Sequence, residues 1–197
     1  MNINRDLLLS SGAEVKTYKT GELIFREGDH AFYYFQIERG KIKLNSYNEE
    51  GNEFIQNILG EKQSFGESFL FLDRLYVMNA ICLENSEIIR LSKPLFIELL
   101  KKTPHLSMEM NTCLSERLYH KVFMLQNISS QNPILRIIGL LNYLKSFHDS
   151  NCGQFQVELT RQQLANLVGL RVETVIRTIK KMEKEGKIKI ENRKILY

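Results

Sequence analysis

Short apolar runs and turn signals alternate along the first half of the chain. Between about residue 13 and residue 92, runs rich in β-branched and aromatic residues occupy positions 22–25, 32–37, 41–44, 53–58 and 86–91. Polar segments with glycine separate these runs, and glycine allows the positive φ angles of tight turns. Many short strands in this arrangement are typical of a β-sandwich or barrel, which we expect here.

Helical spacing replaces this pattern after Pro94. Apolar residues recur about one turn apart from Leu106 onward, and Cys113, Met124 and Ile128 add a second apolar strip. A helix with one buried face needs an apolar stripe about 100° wide, and the apolar stripe of this helix is wider. The helix is therefore expected to contact both its own β-domain and a partner subunit. An ordinary core helix with two buried faces is the alternative. The predicted dimer interface comprises Met110, Cys113, Leu114, Leu118, Val122 and Leu125.

A polar run at 127–133 interrupts the helical pattern and ends on Pro133. Because proline disfavours helical geometry in the residue before it, we expect a hinge there. Another amphipathic helix at 134–147 and a loop at 148–153 are predicted to follow.

The segment 159–182 fits a helix-turn-helix position by position. Thr160 is placed to cap the first helix, and Gly169 falls where the turn between the helices needs a left-handed residue. Ala165 is small where the two helices approach each other. The predicted buried positions are Leu164, Val168, Leu170, Val175 and Ile179. A helical hairpin with no role in DNA binding is the alternative.

A second helix that starts near Val172 would turn a polar face towards the major groove. Arginine donates two hydrogen bonds to guanine and glutamate accepts one from cytosine, and a bidentate contact contributes about 1–3 kcal/mol of discrimination. The predicted base-reading residues are Val172, Glu173, Thr174 and Arg177. A basic β-hairpin wing is predicted over 187–197. Phosphate contacts are predicted for Thr160, Arg161, Gln162, Arg171, Lys180, Lys181, Lys187, Lys189 and Arg193.

The distribution of charge agrees with this placement. The net charge is +4, and residues 133–197 carry 12 Lys and Arg against 6 Asp and Glu, while residues 1–132 carry 15 against 17. A basic excess confined to one segment is the electrostatic pattern of a nucleic-acid-binding domain, here for double-stranded DNA. A ligand-sensing or protein-interaction module with a solvated basic surface and no specific DNA target is the alternative.

Composition and motifs exclude several other classes. No apolar stretch approaches the roughly 20 residues of a membrane helix, and the first residues lack the pattern of a signal peptide, so no membrane association and a cytoplasmic location are expected. Cys82, Cys113 and Cys152 form no C-x-x-C pair, so no metal site is predicted and buried thiols are expected. A redox role for Cys82 or Cys113 is the alternative. A jelly-roll metalloenzyme would need clustered histidines, and His30 stands alone in the β-region, so no enzyme is expected.

The whole chain resembles the Crp/Fnr superfamily of transcription regulators. The resemblance rests on segments 18–21, 25–29, 38–41, 48–51, 65–67, 159–163 and 172–177. It implies an α+β fold with a cyclic-nucleotide-binding-type β jelly roll at 1–105, a dimerisation helix and hinge at 106–132, and a winged helix-turn-helix at 133–197. A homodimer on a palindromic DNA site follows from it, with RNA polymerase as the further partner of an activator. Glu173 and Arg177 stand at the positions where family members read G·C pairs. The valine at position 172 resembles the residue that the Fnr branch of the superfamily has there.

The resemblance also implies an effector pocket, although its residues depart from those of cyclic-AMP binders. The pocket candidates are Gly66, Glu67, Ser68, Arg74, Met78, Asn79, Lys121 and Val122. Met78 and Asn79 stand where cyclic-AMP binders have an Arg-Ser pair for the phosphate, and a buried phosphate without that arginine is costly. Cyclic AMP is therefore not the expected effector, and the alternative is that Arg74 or Lys121 holds the phosphate. No iron–sulfur or haem motif is present, so the cofactor remains unknown.

Overall fold

The computed structural model describes residues 1–146 and 155–197. They form two compact units, Met1–Glu116 and Arg117–Tyr197. The loop predicted at 148–153 lies outside the described residues, as do Cys152 and Phe147, the last residue of the helix predicted before that loop.

The first unit is rich in short strands, as the sequence predicts. Its elements in chain order are α1 Arg5–Ser10, β1 Glu14–Tyr18, β2 Leu23–Phe25, β3 Tyr33–Arg39, β4 Ile42–Tyr47, β5 Glu53–Leu59, β6 Ser64–Phe65, α2 Glu67–Leu72, β7 Asn79–Cys82, β8 Ser86–Ser92 and α3 Lys93–Lys102. The strands pair antiparallel in two four-stranded sheets, with the orders β1-β8-β3-β6 and β2-β7-β4-β5. This β-roll confirms the predicted jelly-roll domain.

Aromatic side chains fill the space between the two sheets. Phe65 is fully buried and lies 5.2 Å from the ring of Phe35, while Tyr76 stacks on Phe25 with ring centroids 3.7 Å apart. A second core cluster joins β3 and β8 to α3 and includes Tyr34, whose ring lies 4.4 Å from that of Phe96. Large aromatic rings account for much of the apolar surface that the unit removes from water.

One turn of the β-roll requires glycine for two reasons. Gly40, between β3 and β4, has a φ of 103°, and a Cβ atom built there would lie 2.9 Å from the Cα atom of Ser86. Any larger residue would be strained in conformation and would collide with β8.

The helical region after Pro94 contains two helices. α3 ends at Lys102, and α4 spans Pro104–Ser129, beginning in the first unit and ending in the second. Pro104 explains the break, because proline is tolerated in the first turn of a helix and disfavours helical geometry in the residue before it. α4 ends at Ser129, within the polar run 127–133, and the hinge expected there stays a prediction.

The second unit has α5 Pro133–Lys145, β9 Gln156–Val157, α6 Arg161–Val168, α7 Val172–Lys184, β10 Lys189–Glu191 and β11 Lys194–Leu196. The hairpin β10–β11 confirms the predicted wing, and β9 extends it to a three-stranded sheet in the order β10-β11-β9. The core of α5 is Ile137, Leu140 and Leu141, each fully buried.

Candidate nucleic-acid interface

Two local devices fix the pair of helices α6 and α7. The Thr160 hydroxyl accepts a hydrogen bond from the Gln163 N–H at 3.1 Å, and the Gln163 side-chain oxygen accepts one from the Thr160 N–H at 2.9 Å. This reciprocal pair satisfies N–H groups that otherwise lack partners at a helix start. Gly169 then adopts a left-handed φ of 63°, which turns the chain towards α7. Both predictions from the sequence are confirmed.

The apolar side of this helix pair follows the sequence prediction with one correction. Leu164, Val168, Val175 and Ile179 are buried as expected. Leu170 is only half-buried and does not belong to the core. Leu167 is buried on α6 in addition to the predicted positions, because the short α6 turns more than one edge towards the rest of its unit.

The opposite side of α7 carries exposed charged residues. Glu173 and Arg177 are both exposed and lie one turn apart, and neither makes an ion pair with any of the residues that the structure describes. Lys180 follows on the same side, also exposed. Thr178, by contrast, is buried and donates its hydroxyl to the Thr174 carbonyl at 2.7 Å. The helix is therefore divided sharply into a buried face and a charged face.

The remaining predicted base-reading residues differ in exposure from Glu173 and Arg177. Val172, the first residue of α7, and Thr174 are half-buried. Arg171 is exposed at the N-cap position just before the helix. These three residues lie at the N-terminal end of α7, the end that enters the major groove in helix-turn-helix proteins.

The predicted phosphate-binding residues at the start of α6 already have local contacts. Arg161 is half-buried and donates from Nη2 to the Arg193 carbonyl at 3.3 Å, which links α6 to the wing. Burial lowers the pKa of the Arg161 guanidinium from its usual value, although arginine remains charged in proteins. The Gln162 side chain donates to Asn166 at 2.8 Å.

A tight turn closes the wing. Asn192 and Arg193 have φ angles of 48° and 65°, the conformation of a two-residue hairpin turn whose twist matches that of the flanking strands. Arg193 is exposed at this tip.

The lysines of the wing lie beside acidic side chains of the same unit. Lys187 donates to Glu185 at 2.7 Å, Lys194 donates to Glu158 at 2.6 Å, and Lys189 pairs with Glu191. The hydrogen bond from Lys187 lowers the pKa of the Glu185 carboxyl. These ion pairs reduce the net positive charge that the wing presents, a feature that its sequence of lysines did not indicate.

A groove of about 520 Å³ separates α7 from the wing. Its apolar residues are Leu159, Ile176, Ile179 and Ile190, and its polar residues are Glu158, Thr160, Arg161, Lys180, Arg193 and Lys194.

Two of the predicted effector-pocket residues, Glu67 and Asn79, already have hydrogen-bond partners within the β-roll. Glu67 is fully buried at the start of α2 and accepts a hydrogen bond from the Ser64 hydroxyl at 2.8 Å, just after Gly66 with its positive φ of 78°. Asn79 accepts from the Glu27 N–H at 3.0 Å and donates to the Asn45 carbonyl at 3.3 Å. The other candidates are Met78, which is half-buried, and Ser68, Arg74, Lys121 and Val122, which are exposed.

Tyr76 is a buried residue of this region that the sequence reasoning missed. Its ring stacks on Phe25 beside Gly66, and burial raises the pKa of its hydroxyl well above the usual value. Met78 packs against the same aromatic cluster. Tyr76 lies outside the strands, between α2 and β7, so no alternation of apolar and polar positions signalled its burial.

Thiols and possible metal ligands give no catalytic arrangement in the described residues. Cys82 is buried, as expected, and burial raises the pKa of its thiol, which opposes thiolate reactivity. Cys113 is only half-buried, so the expectation of a buried thiol was wrong there. The described residues contain no group of three histidine, cysteine, aspartate or glutamate side chains able to hold a metal ion. None of the described helices is long and apolar enough to span a bilayer.

A capped first helix, a left-handed glycine turn, a second helix with a charged outer face and a β-hairpin wing define a winged helix-turn-helix DNA-binding domain. The comparisons with known proteins agree. Residues 135–197 match the Crp-like helix-turn-helix domain, and residues 15–103 match the cyclic nucleotide-binding domain. The chain is a Crp/Fnr-type DNA-binding transcription regulator.

Curated relatives support this assignment, and a solved structure has the same fold. The chain is 27% identical over 177 residues to the cAMP-activated global transcriptional regulator CRP of Haemophilus influenzae, covering 87% of this chain and 78% of the relative. It is 26% identical over 188 residues to the global nitrogen regulator of Nostoc, covering 92% and 83%. The c-di-GMP responsive regulator CLP of Xanthomonas campestris has the same fold, with a TM-score of 0.78 at 21% identity over 96% of this chain and 95% of that one.

Proposed function

We propose that the protein is a homodimer that binds a palindromic DNA site and reads each half-site through α7. The observation that carries this proposal is the pair Glu173 and Arg177, exposed one turn apart on a helix whose opposite face is buried. An arginine that makes no ion pair has its N–H donors available for guanine. A glutamate that makes no ion pair likewise has its carboxylate oxygens available to accept a hydrogen bond from cytosine.

An exposed apolar stripe on α4 supports the dimer. Leu118, Val122 and Leu125 are spaced by four and three residues and are 65%, 49% and 68% exposed. This spacing places them on one face of the helix, which is the pattern of a two-stranded helical interface. Isolated exposed leucines are common, whereas an apolar stripe of this kind favours a partner helix.

The other predicted interface residues contribute less to this surface. Met110 is only 2% exposed and packs in the core of the first unit, and Leu114 is half-buried against the same cluster. Cys113 lies with its sulfur 3.0 Å from the Met1 amino group of its own chain. We therefore assign the dimer contact mainly to residues 118–125 of α4.

The wing and the start of α6 are proposed to contact phosphates. Exposed Arg193 at the wing tip and exposed Lys180 on α7 border the groove, where the backbone of bound DNA would neutralise their charges. Lys187 and Lys189 would exchange an intramolecular carboxylate for a phosphate, so their contribution is expected to be smaller than that of Arg193.

Cyclic AMP is not the proposed effector, although the relative from Haemophilus influenzae is described as cAMP-activated. Met78 offers no charge for a cyclic phosphate, and the Asn79 side chain is already bonded to two backbone groups. Adding cyclic AMP is expected to leave the DNA affinity of the purified protein unchanged. A clear increase in affinity would contradict this part of the proposal.

Selection of bound sequences from a random pool of double-stranded DNA tests the proposed function. Arg177→Ala is expected to lose discrimination at one base pair of each half-site, by about 1–3 kcal/mol. Lys184→Ala removes a charge from the last turn of the same helix and is expected to leave the base preference unchanged. An unaltered preference in Arg177→Ala would contradict the role of α7, and the absence of any selected sequence with the wild-type protein would contradict the function.

A further inference from the structure

Ile176 is an apolar residue on the charged side of α7. Its side chain is 40% exposed, and it is the only large apolar side chain of α6 or α7 that is exposed. Glu173, Arg177 and Lys180 surround it in sequence, and all three are exposed as well. Part of this side chain therefore packs on its own unit, and part is accessible to another contact.

The core of the unit does not need this side chain. Val175 is fully buried, and Ile176 lies about 100° further round the helix from it. Ile176 lines the groove between α7 and the wing together with Ile179, and the other lining residues include Ile190 and the cations Lys180 and Arg193. The groove thus combines apolar and basic side chains, and its one acidic residue, Glu158, is paired with Lys194.

An apolar surface bordered by cations suits an apolar group that is carried on a polyanion. Among the base edges in the major groove of DNA, thymine alone presents a methyl group, and that methyl is read by apolar side chains. The cations beside Ile176 would meet the phosphates of the same strand segment. These properties select thymine over a free apolar ligand, which would gain nothing from the surrounding charges.

From this arrangement we infer that Ile176 packs against the C5 methyl of a thymine and so specifies one T·A pair in each half-site. The inference rests on the proposed function, because it requires α7 to lie in the major groove. It adds a methyl contact to the polar contacts of Glu173 and Arg177.

Deoxyuridine is the probe for this contact, since it differs from thymidine at this edge only by the missing methyl. In the DNA site selected by the wild-type protein, each thymine is replaced in turn by deoxyuridine, symmetrically in both half-sites. Affinity is measured for the wild-type protein, Ile176→Val and Ile176→Ser. Leu135→Ser is the matched control, because Leu135 is another exposed apolar residue of the same unit, on α5.

The wild-type protein is expected to lose about fourfold in affinity per half-site at one thymine position, the effect of removing one buried methyl. Ile176→Ser is expected to bind the thymine and deoxyuridine sites equally well, while Ile176→Val and Leu135→Ser keep the difference. Such a coupling between one side chain and one methyl is what a double-mutant cycle measures.

Two results would overturn the inference without affecting the proposed function. Insensitivity of the wild-type protein to deoxyuridine at every position would show that no thymine methyl is read. If Ile176→Ser bound more weakly than the wild-type protein by the same factor on both sites, the preference for thymine over deoxyuridine would persist. Ile176 would then contact a sugar and not the methyl. In both cases Arg177→Ala would still lose its base preference. If the proposed function itself were wrong, Arg177→Ala would leave the base preference unchanged.

Discussion

Asn79 of the β-roll and Arg177 of α7 were both expected to contact a ligand, but they differ in what they already contact. Asn79 uses its carbonyl and amide groups on the backbone of Glu27 and Asn45, while Arg177 is exposed and makes no ion pair with the described residues. A ligand at Asn79 would have to replace existing hydrogen bonds, which reduces the net gain from binding. A ligand at Arg177 would replace only water.

The same contrast holds for the surroundings of the two residues. The β-roll around Met78 is filled by stacked aromatic rings, including Tyr76 on Phe25. Next to Arg177, Ile176 lines an open groove between α7 and the wing, whose other lining residues include Lys180 and Arg193. The region of the β-roll around Met78 is therefore tightly packed, whereas α7 presents charged groups that another molecule can reach.

Truncation of the aromatic core is expected to give the largest effect and tests this contrast directly. Phe65→Ala removes a fully buried ring that stacks on Phe35, and such a change costs about 3–5 kcal/mol of unfolding free energy. The loss is measured by urea unfolding followed by circular dichroism, since the chain has no tryptophan. The DNA sequence selected by the remaining folded protein is expected to stay the same.

Phe54→Ala is the matched control for this change. Phe54 lies on β5 and is 39% exposed, so its truncation is expected to cost much less. If Phe65→Ala altered the selected DNA sequence and Phe54→Ala did not, the β-roll would contribute to sequence recognition and the contrast would fail.

Disruption of the exposed apolar stripe on α4 is expected to give the second-largest effect. Leu118→Asp would bury a carboxylate in the dimer contact, so the variant is expected to sediment as a monomer. Loss of the second subunit lowers the affinity for a site with two half-sites by about 100-fold or more. Sedimentation velocity and DNA titration measure the two effects.

Leu135→Asp controls for a charge placed on an exposed leucine of the same unit and is expected to remain a dimer. A Leu118→Asp protein that stayed dimeric with full DNA affinity would remove α4 from the interface.

The features that the sequence predicted well depend on neighbours in the chain. Thr160 and Gln163 form their reciprocal cap within one turn, and the left-handed conformation of Gly169 follows from the absence of a Cβ atom. The start of α7 at Val172 and the β10–β11 hairpin are equally local, so pattern and turn chemistry sufficed for them.

The features that it missed depend on residues far apart in the chain. β9 pairs with β11 across almost 40 residues, and Lys194 meets Glu158 through that pairing. The hydrogen bonds of Asn79 to the backbone of Glu27 and Asn45 connect three separate strands or turns. No periodicity in the sequence reports such contacts, and the six-residue helices α1 and α2 are too short to show one.

The smallest expected effect concerns an ion pair of the β-roll and depends on pH. Glu38 accepts a hydrogen bond from Lys62 at 2.7 Å and lies 3.4 Å from Arg5, and the bond from Lys62 lowers the pKa of its carboxyl below the usual value. A carboxyl with a lowered pKa in the folded state stabilises the protein above its usual pKa, and this contribution disappears as the pH falls through the folded-state pKa. Glu38→Gln is therefore expected to cost about 0.5 kcal/mol at neutral pH, a small value because both cations are largely exposed.

Urea unfolding of the wild-type protein and Glu38→Gln at neutral pH and near pH 3 measures this difference, which is expected to shrink in acid. Glu61→Gln is the matched control, because Glu61 is exposed near the same end of the β-roll and has no ion pair with the described residues. A loss of equal size at both pH values would mean that Glu38 acts through packing and not through its charge. The ion pairs of Glu38 would then contribute little to the stability of the β-roll.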